Sequence, residues 1–151
     1  MTKYPPLENL LPHRAPMILL DRVEDDAAES ITCGVTLRDE SAFVENGSVP
    51  AVVATEYMAQ CVATFAGLSA SRQGGAVRFG YIIGARLIAL AVDAFHVGEE
   101  LVVKARRVWG DDVLGTFECS VDSGERRVAS ATLTVYQGDI DSAVAGQVPE
   151  R

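Results

Sequence analysis

The stretch VPAVVATEYMAQCVATFAGLSASRQ, residues 49–73, decides the fold. It is the only long run in the 151 residues without an internal turn signal. Pro50 stands where a first helical position tolerates proline, because an N–H there would lack an intrahelical partner anyway. Val52, Val53, Tyr57, Met58, Cys61, Val62, Phe65 and Leu68 then fall on almost every side, with alanines between them. A helix apolar nearly all round is a buried helix. At roughly 20 residues it would run about 30 Å, enough to cross a small domain. Inside it Glu56, Gln60 and Thr64 stand at i, i+4 and i+8, so they form one narrow polar stripe. An unpaired buried carboxyl is costly, and a carboxyl so placed is a candidate general acid or base. The plainer reading has Glu56 facing solvent, or satisfied by Gln60 alone.

Working outward, four prolines (Pro5, Pro6, Pro12, Pro16) punctuate the start of the chain and leave room for one helical turn over residues 6–11. Residues 17–23 are expected as a first strand and the acidic run Glu24, Asp25, Asp26 as a solvated turn. Residues 29–37 place Ile31, Cys33, Val35 and Leu37 on one face, the pattern of a half-buried strand. Asn46–Gly47 marks a turn before the helix, and Gly74–Gly75 ends it. A β-rich half follows. Residues 77–92 read as a strand bent at Gly80 and Gly84, residues 95–99 as a turn at Gly98, and 100–109, 113–121 and 126–136 as further strands. Residues 137–151 lack a pattern and are expected to form a flexible tail, so 1–136 is read as one domain. One long helix among antiparallel strands is an α+β layout. The sheet must bury one face and the helix is the only partner available, so the sheet should wrap a single central helix. A helix covered on one side only predicts a dimer.

A hydrophobic content of 48% and this length suffice for a packed core. The net charge of −8 speaks against nucleic-acid binding, which depends on neutralising phosphates. Between positions 72 and 107, however, Arg72, Arg78, Arg86, Lys104, Arg106 and Arg107 outnumber the acids, so a local basic surface could meet an acidic partner. Cys33, Cys61 and Cys119 are scattered and predict reduced, small apolar groups. No metal site is expected from two histidines, His13 and His96, and no ligand spacing. Glu56 and the many small residues around it argue against a membrane span. The opening residues lack a signal-peptide core, and a cytoplasmic protein is expected.

The run Leu10-Leu11-Pro12-His13-Arg14-Ala15-Pro16-Met17-Ile18-Leu19-Leu20-Asp21-Arg22-Val23 resembles the LPHRxPxLLxDRV opening of the β-hydroxyacyl-ACP dehydratases of type II fatty-acid synthesis. Glu56-Tyr57-Met58-Ala59-Gln60 resembles their ExxAQ helix segment, and Gly98-Glu99-Glu100-Leu101 their GDxL strand entry. Order and spacing agree over about residues 5–136. More narrowly, PAVVATEYMAQCVATFAGL, FGYIIGAR and ATLTVYQ resemble the dehydratase-like subunit of aryl-polyene pathways. The resemblance implies a hotdog fold, an acyl-carrier-protein thioester as substrate, a homodimer or a heterodimer with another hotdog subunit, and no cofactor beyond the carrier's phosphopantetheine arm.

One departure matters. The fatty-acid enzymes carry a catalytic histidine in a GHFPG loop, and this chain has none there: the position falls on Ala42 counted back from the helix, or on Asn46 counted from the left. The family's PG is here Pro50–Ala51. The resemblance therefore gives Glu56 the acid/base role and leaves the histidine's role vacant. Gln60 would orient the carboxyl or the substrate carbonyl, and His13, Asn46, Gly47 and Ala51 would contribute to substrate binding. His13 is the nearby candidate for help, though a structural role is expected for it, capping the first turn or pairing with a backbone carbonyl. Tyr57 and Met58 are expected in the core. Three functions follow: a dehydratase completed by a His-bearing partner, a non-catalytic subunit shaping such a partner, and a thioesterase in which Glu56 activates water or attacks the thioester.

Overall fold

The computed structural model describes residues 3–76 and 79–138. The period-2 pattern forms β2 (Ser30–Thr36), β6 (Glu100–Gly110), β7 (Leu114–Ser123) and β8 (Arg126–Gly138). Their inward side chains include Ile31, Cys33, Leu101, Val103, Phe117, Val121 and Leu133, all buried. With β1 (Arg22–Ala27) and β4 (Phe79–Leu90) these strands make a six-stranded antiparallel sheet in the order β1-β2-β6-β7-β8-β4. A second, two-stranded sheet pairs β3 (Ser48–Pro50) with β5 (Ala94–His96).

The helix α1 (Ala54–Arg72) lies across β2, β6, β7 and β8. Tyr57, Met58, Cys61, Val62, Phe65 and Leu68 are buried against them. The helical stretch from Ala51 to Arg72 is long and apolar enough to cross a membrane, but its apolar 18-residue window is 61% buried inside the fold, as a core helix would be. Burial pushes the Cys61 thiol well above its ordinary range and the Tyr57 phenol up to about 12, the latter helped by the charge of Asp21. The helix ends where Gly74 takes a positive φ of 75° and the Gly75 N–H returns to the Ala70 carbonyl.

The N-terminal segment crosses the helix closely. Leu10 and Leu11 are buried, and a Cβ on Gly67 would overlap the Leu10 carbonyl oxygen. Only glycine permits that approach.

Four sequence expectations are corrected. The first strand begins at Arg22 rather than Met17, and the acidic run belongs to it. Residues 17–20 run beside the helix instead, where a helix side chain takes the Met17 carbonyl and the Leu19 N–H. β1 is an edge strand, so Glu24 and Asp25 reach water while Asp26 bonds Tyr4 and Arg72. Secondly, Pro50 closes β3; a 3-10 turn over Ala51–Val53 precedes the α-helix. Thirdly, Gln137 and Gly138 extend β8, so the expected tail is confined to residues 139–151, outside the described residues. The fourth concerns the basic cluster, which is not one surface. Arg72 is paired with Asp26 at 2.6 Å, Arg106 with Glu118 at 2.9 Å, and Arg107 with Glu29 and Asp112. Strand alternation sends Arg106 and Arg107 to opposite faces. Arg78 lies outside the described residues.

The edge strand β4 leaves Ile82, Ile83, Leu87, Ile88 and Leu90 between 40% and 77% exposed. A long edge strand with that much apolar surface is a docking edge or an aggregation hazard.

Candidate active site

The site starts from Gln60, which is fully buried on α1. Its Oε1 accepts the Leu19 N–H at 2.9 Å, and its Nε2 donates to the Met17 carbonyl at 2.7 Å. The same Nε2 lies 3.1 Å from Glu56 Oε1, one turn back. One amide thus ties the entry segment to the helix and steadies the carboxylate. Thr64 continues the stripe inward, its hydroxyl donating to the Gln60 carbonyl at 2.7 Å.

Glu56 itself is not buried. Its side chain is 42% exposed, at the open first turn of α1, where a negative charge is favoured by the helix dipole. The polar stripe therefore runs from an accessible carboxylate to two enclosed groups.

The tie at Gln60 brings His13 to the same place. Its Nε2 lies 3.6 Å from Glu56 Oε1. The backbone pairing expected of His13 is made by Arg14 instead, whose guanidinium donates to the His13 carbonyl at 2.8 Å and reaches the Pro12 and Leu11 carbonyls. His13 Nδ1 is enclosed and meets no hydrogen-bond partner among the described residues. A proton on Nδ1 would be an unsatisfied buried donor, so the neutral ring carries its proton on Nε2, facing Glu56.

Asn46 and Gly47 form the tip of a tight turn, with φ of 54° and 78°, closed by reciprocal bonds between Glu45 and Ser48. The Gly47 carbonyl accepts the Val97 N–H. The Asn46 side chain is exposed, and no hydrogen bond joins it to Glu56. Ala51 is buried and its N–H is spent on the Asp93 carbonyl at 2.9 Å. His13, Glu56 and Gln60 are thus brought together, whereas Asn46, Gly47 and Ala51 frame the loop before the helix. His96 is exposed on β5. No three metal-ligating side chains converge among the described residues.

Sequence reasoning named His13 as the nearby candidate but did not find the Met17 and Leu19 backbone groups, the partners through which Gln60 holds that segment beside Glu56. The available signal was a glutamine in the polar stripe of an otherwise apolar helix, which needs a buried partner from somewhere.

A large antiparallel sheet packed on a single helix is the architecture of a hotdog-fold protein. The chain belongs to the ApeP-like family, described as ApeP dehydratase, which matches residues 5–146. Among solved structures it resembles the dehydratase heterocomplex ApeI:P from Xenorhabdus doucetiae, at 27% identity over 95% of this chain and 97% of that one, with a TM-score of 0.88. The uncharacterised protein PH1136 from Pyrococcus horikoshii is similar at 17% identity over 90% and 96% of the two chains, with a TM-score of 0.63. A hypothetical thioesterase with coenzyme A from Streptococcus pneumoniae TIGR4 follows at 16% identity over 78% and 84%, with a TM-score of 0.57. These last two carry the fold alone. No functionally curated protein matches the chain.

Proposed function

We propose that this chain is the Glu-bearing subunit of a 3-hydroxyacyl-ACP dehydratase of aryl-polyene biosynthesis, working beside a second hotdog subunit. The observation that carries the proposal is an accessible Glu56 carboxylate, fixed by Gln60 and faced by His13 Nε2 at 3.6 Å. Membership of a dehydratase family supports the reaction, and the likeness to a heterocomplex supports the partner. The uncovered apolar edge of β4 supplies a seat for that partner.

Eliminating water from a 3-hydroxyacyl thioester breaks the C2–H and C3–O bonds and forms the C2–C3 double bond. Glu56 takes the C2 proton. The same proton, returned by the carboxyl, leaves with the C3 hydroxyl as water, and Glu56 is restored as carboxylate. No net proton is gained or lost. The Gln60 amide holds one carboxylate oxygen while the other acts, and His13, with Nε2 3.6 Å from Glu56, donates toward the departing oxygen. Alternatively a histidine of the partner subunit takes the C2 proton while Glu56, starting protonated, gives its proton to the departing hydroxyl; transfer of a proton from the imidazolium back to Glu56 then restores both groups.

The test is mass spectrometry of 3-hydroxyacyl-ACP incubated with the protein alone and with its hotdog partner, beside Glu56→Gln. Loss of water from the intact acyl-ACP, reduced roughly 10²–10⁴-fold in the variant, is expected. Wild-type turnover by the Glu56→Gln complex would make this chain a non-catalytic subunit. Release of free acid would make it a thioesterase.

A further inference from the structure

The gap between His13 and Glu56 has the dimensions of a seat for one oxygen. The 3.6 Å between Nε2 and Oε1 is wider than the roughly 2.7–3.2 Å of a direct hydrogen bond. The two groups therefore do not satisfy each other. Both reach solvent, with side chains 29% and 42% exposed. An oxygen set between them lies within hydrogen-bond reach of both. One side of the gap offers an N–H. The other offers a carboxylate, which keeps acceptor positions beyond the one that Gln60 fills. A hydroxyl matches both sides, accepting from Nε2 and donating to the carboxylate. A carbonyl or ether oxygen makes only the first bond.

The far side of the ring fixes its chemical form. His13 Nδ1 is the one buried side-chain nitrogen or oxygen without a partner among the described residues. The neutral ring leaves a lone pair there. An imidazolium puts a charged N–H there, and an unsatisfied buried donor costs most when it is charged. The Glu56 carboxylate favours a cation, but an ion pair this open to water gains little. The Arg14 guanidinium, donating to the His13 carbonyl at 2.8 Å, sets a competing cation beside the same residue. Giving up the Nε2 proton would leave an anionic ring next to a carboxylate. Neither change of charge suits this position.

We infer that His13 is a catalytic hydrogen-bond donor to the C3 hydroxyl of the substrate, and that it keeps its proton throughout the reaction. The inference rests on the dehydratase reading for the identity of that hydroxyl. Negative charge grows on the oxygen as the C3–O bond breaks, and a neutral N–H aimed at it stabilises that charge. The proton that completes the departing water comes from the Glu56 carboxyl. His13 thus polarises the leaving group, and proton transfer on this chain falls to Glu56 alone.

The experiment uses the full chain with its hotdog partner and 3-hydroxyacyl-ACP. His13→Leu should lower kcat at least about tenfold, the worth of one hydrogen bond to an oxygen gaining charge. His13→Gln places an amide nitrogen where Nε2 stood but cannot relay a proton, and it should recover most of that loss. A glutamine variant as slow as the leucine variant overturns the inference, because the acid–base chemistry of imidazole would then be required.

A second measurement needs no turnover. The chain has two histidines, His13 and His96, so isotope-labelled histidine gives a simple NMR spectrum, assigned with His96→Gln. At neutral pH the His13 ring should carry its proton on Nε2 and none on Nδ1. A ring protonated on Nδ1, alone or with Nε2, overturns the inference. Titration with 3-hydroxyacyl-pantetheine should move the Nε2–H resonance further than the same acyl-pantetheine without the hydroxyl, and equal or no shifts overturn it. Both readouts stand whether or not water is eliminated, so failure of the dehydratase reading is told apart.

Discussion

Replacing Gln60 by leucine tests the joint between scaffold and site. The side chain is fully buried and makes three contacts: the Leu19 N–H, the Met17 carbonyl and the Glu56 carboxylate. Leucine fills a similar volume and offers no polar partner. The Leu19 N–H is then left unpaired in a buried place, at about 1–3 kcal/mol. Met17 is 44% exposed, so water can reach its carbonyl and its loss falls at the low end of that range. The greater apolarity of leucine offsets part of the sum. The expected loss is about 2–3 kcal/mol. With a urea slope of about 1–3 kcal/mol per molar, the unfolding midpoint should fall by roughly 1–2 M. The comparison needs fixed protein concentration, because association raises apparent stability. Below the transition, dehydration should be at least about tenfold slower, since Glu56 loses its donor and the segment bearing His13 loses its anchor. A variant with an unchanged midpoint and wild-type turnover would refute the reasoning. Gln60→Glu refines it. That variant keeps an acceptor for Leu19 but sets oxygen against the Met17 carbonyl and against Glu56, so it should be less stable than the leucine variant at neutral pH.

Gly67→Ala should cost about 2 kcal/mol or more, because its methyl overlaps the Leu10 carbonyl and the entry segment must shift; calorimetry should show a melting temperature lowered by several degrees. The Arg72 guanidinium holds Asp26 below its ordinary value of 3.8, with the Tyr4 hydroxyl helping. The folded chain therefore binds fewer protons there than the unfolded one. That stability is complete above about pH 5 and fades as pH falls through the depressed folded value. Asp26→Asn should lower the melting temperature at pH 7 and flatten its decline in acid. Ile83→Asp, on the exposed edge of β4, should weaken association with the partner at least about tenfold by sedimentation while leaving the far-UV circular dichroism unchanged.

The architecture was legible because it rests on period. A long run apolar on nearly every side at α1 and apolar 2-residue patterns at β2, β6, β7 and β8 leave few ways to bury both. The boundaries were less so. Residues 17–20 have a strand's composition, yet their hydrogen bonds go to a glutamine forty residues away, which no local pattern announces. The acids of β1 look like a turn because an edge strand tolerates charge on its open side. At the site, Glu56 and Gln60 were readable from their spacing. Of the two readings of Glu56 the plainer one describes its setting, accessible to solvent and bonded to Gln60, because the first turn of a helix opens to solvent even when its later turns are enclosed. The place of His13 depends on how a proline-rich segment crosses α1, and sequence alone does not define that path.

The two irregularities in β4 bear on which chains can join this sheet. Its ladder with β8 breaks between Ile82 and Gly84 and again between Arg86 and Ala89, and Leu87 stands at a positive φ of 54°. The edge is thus cut into short runs of regular backbone. A passing strand of arbitrary sequence finds only a few aligned amides before the rhythm fails, so open-ended growth of the sheet is suppressed although the edge is greasy. A partner shaped with matching kinks meets every run at once, and in only one alignment. Backbone shape at this rim thus restricts which strand can pair along its whole length.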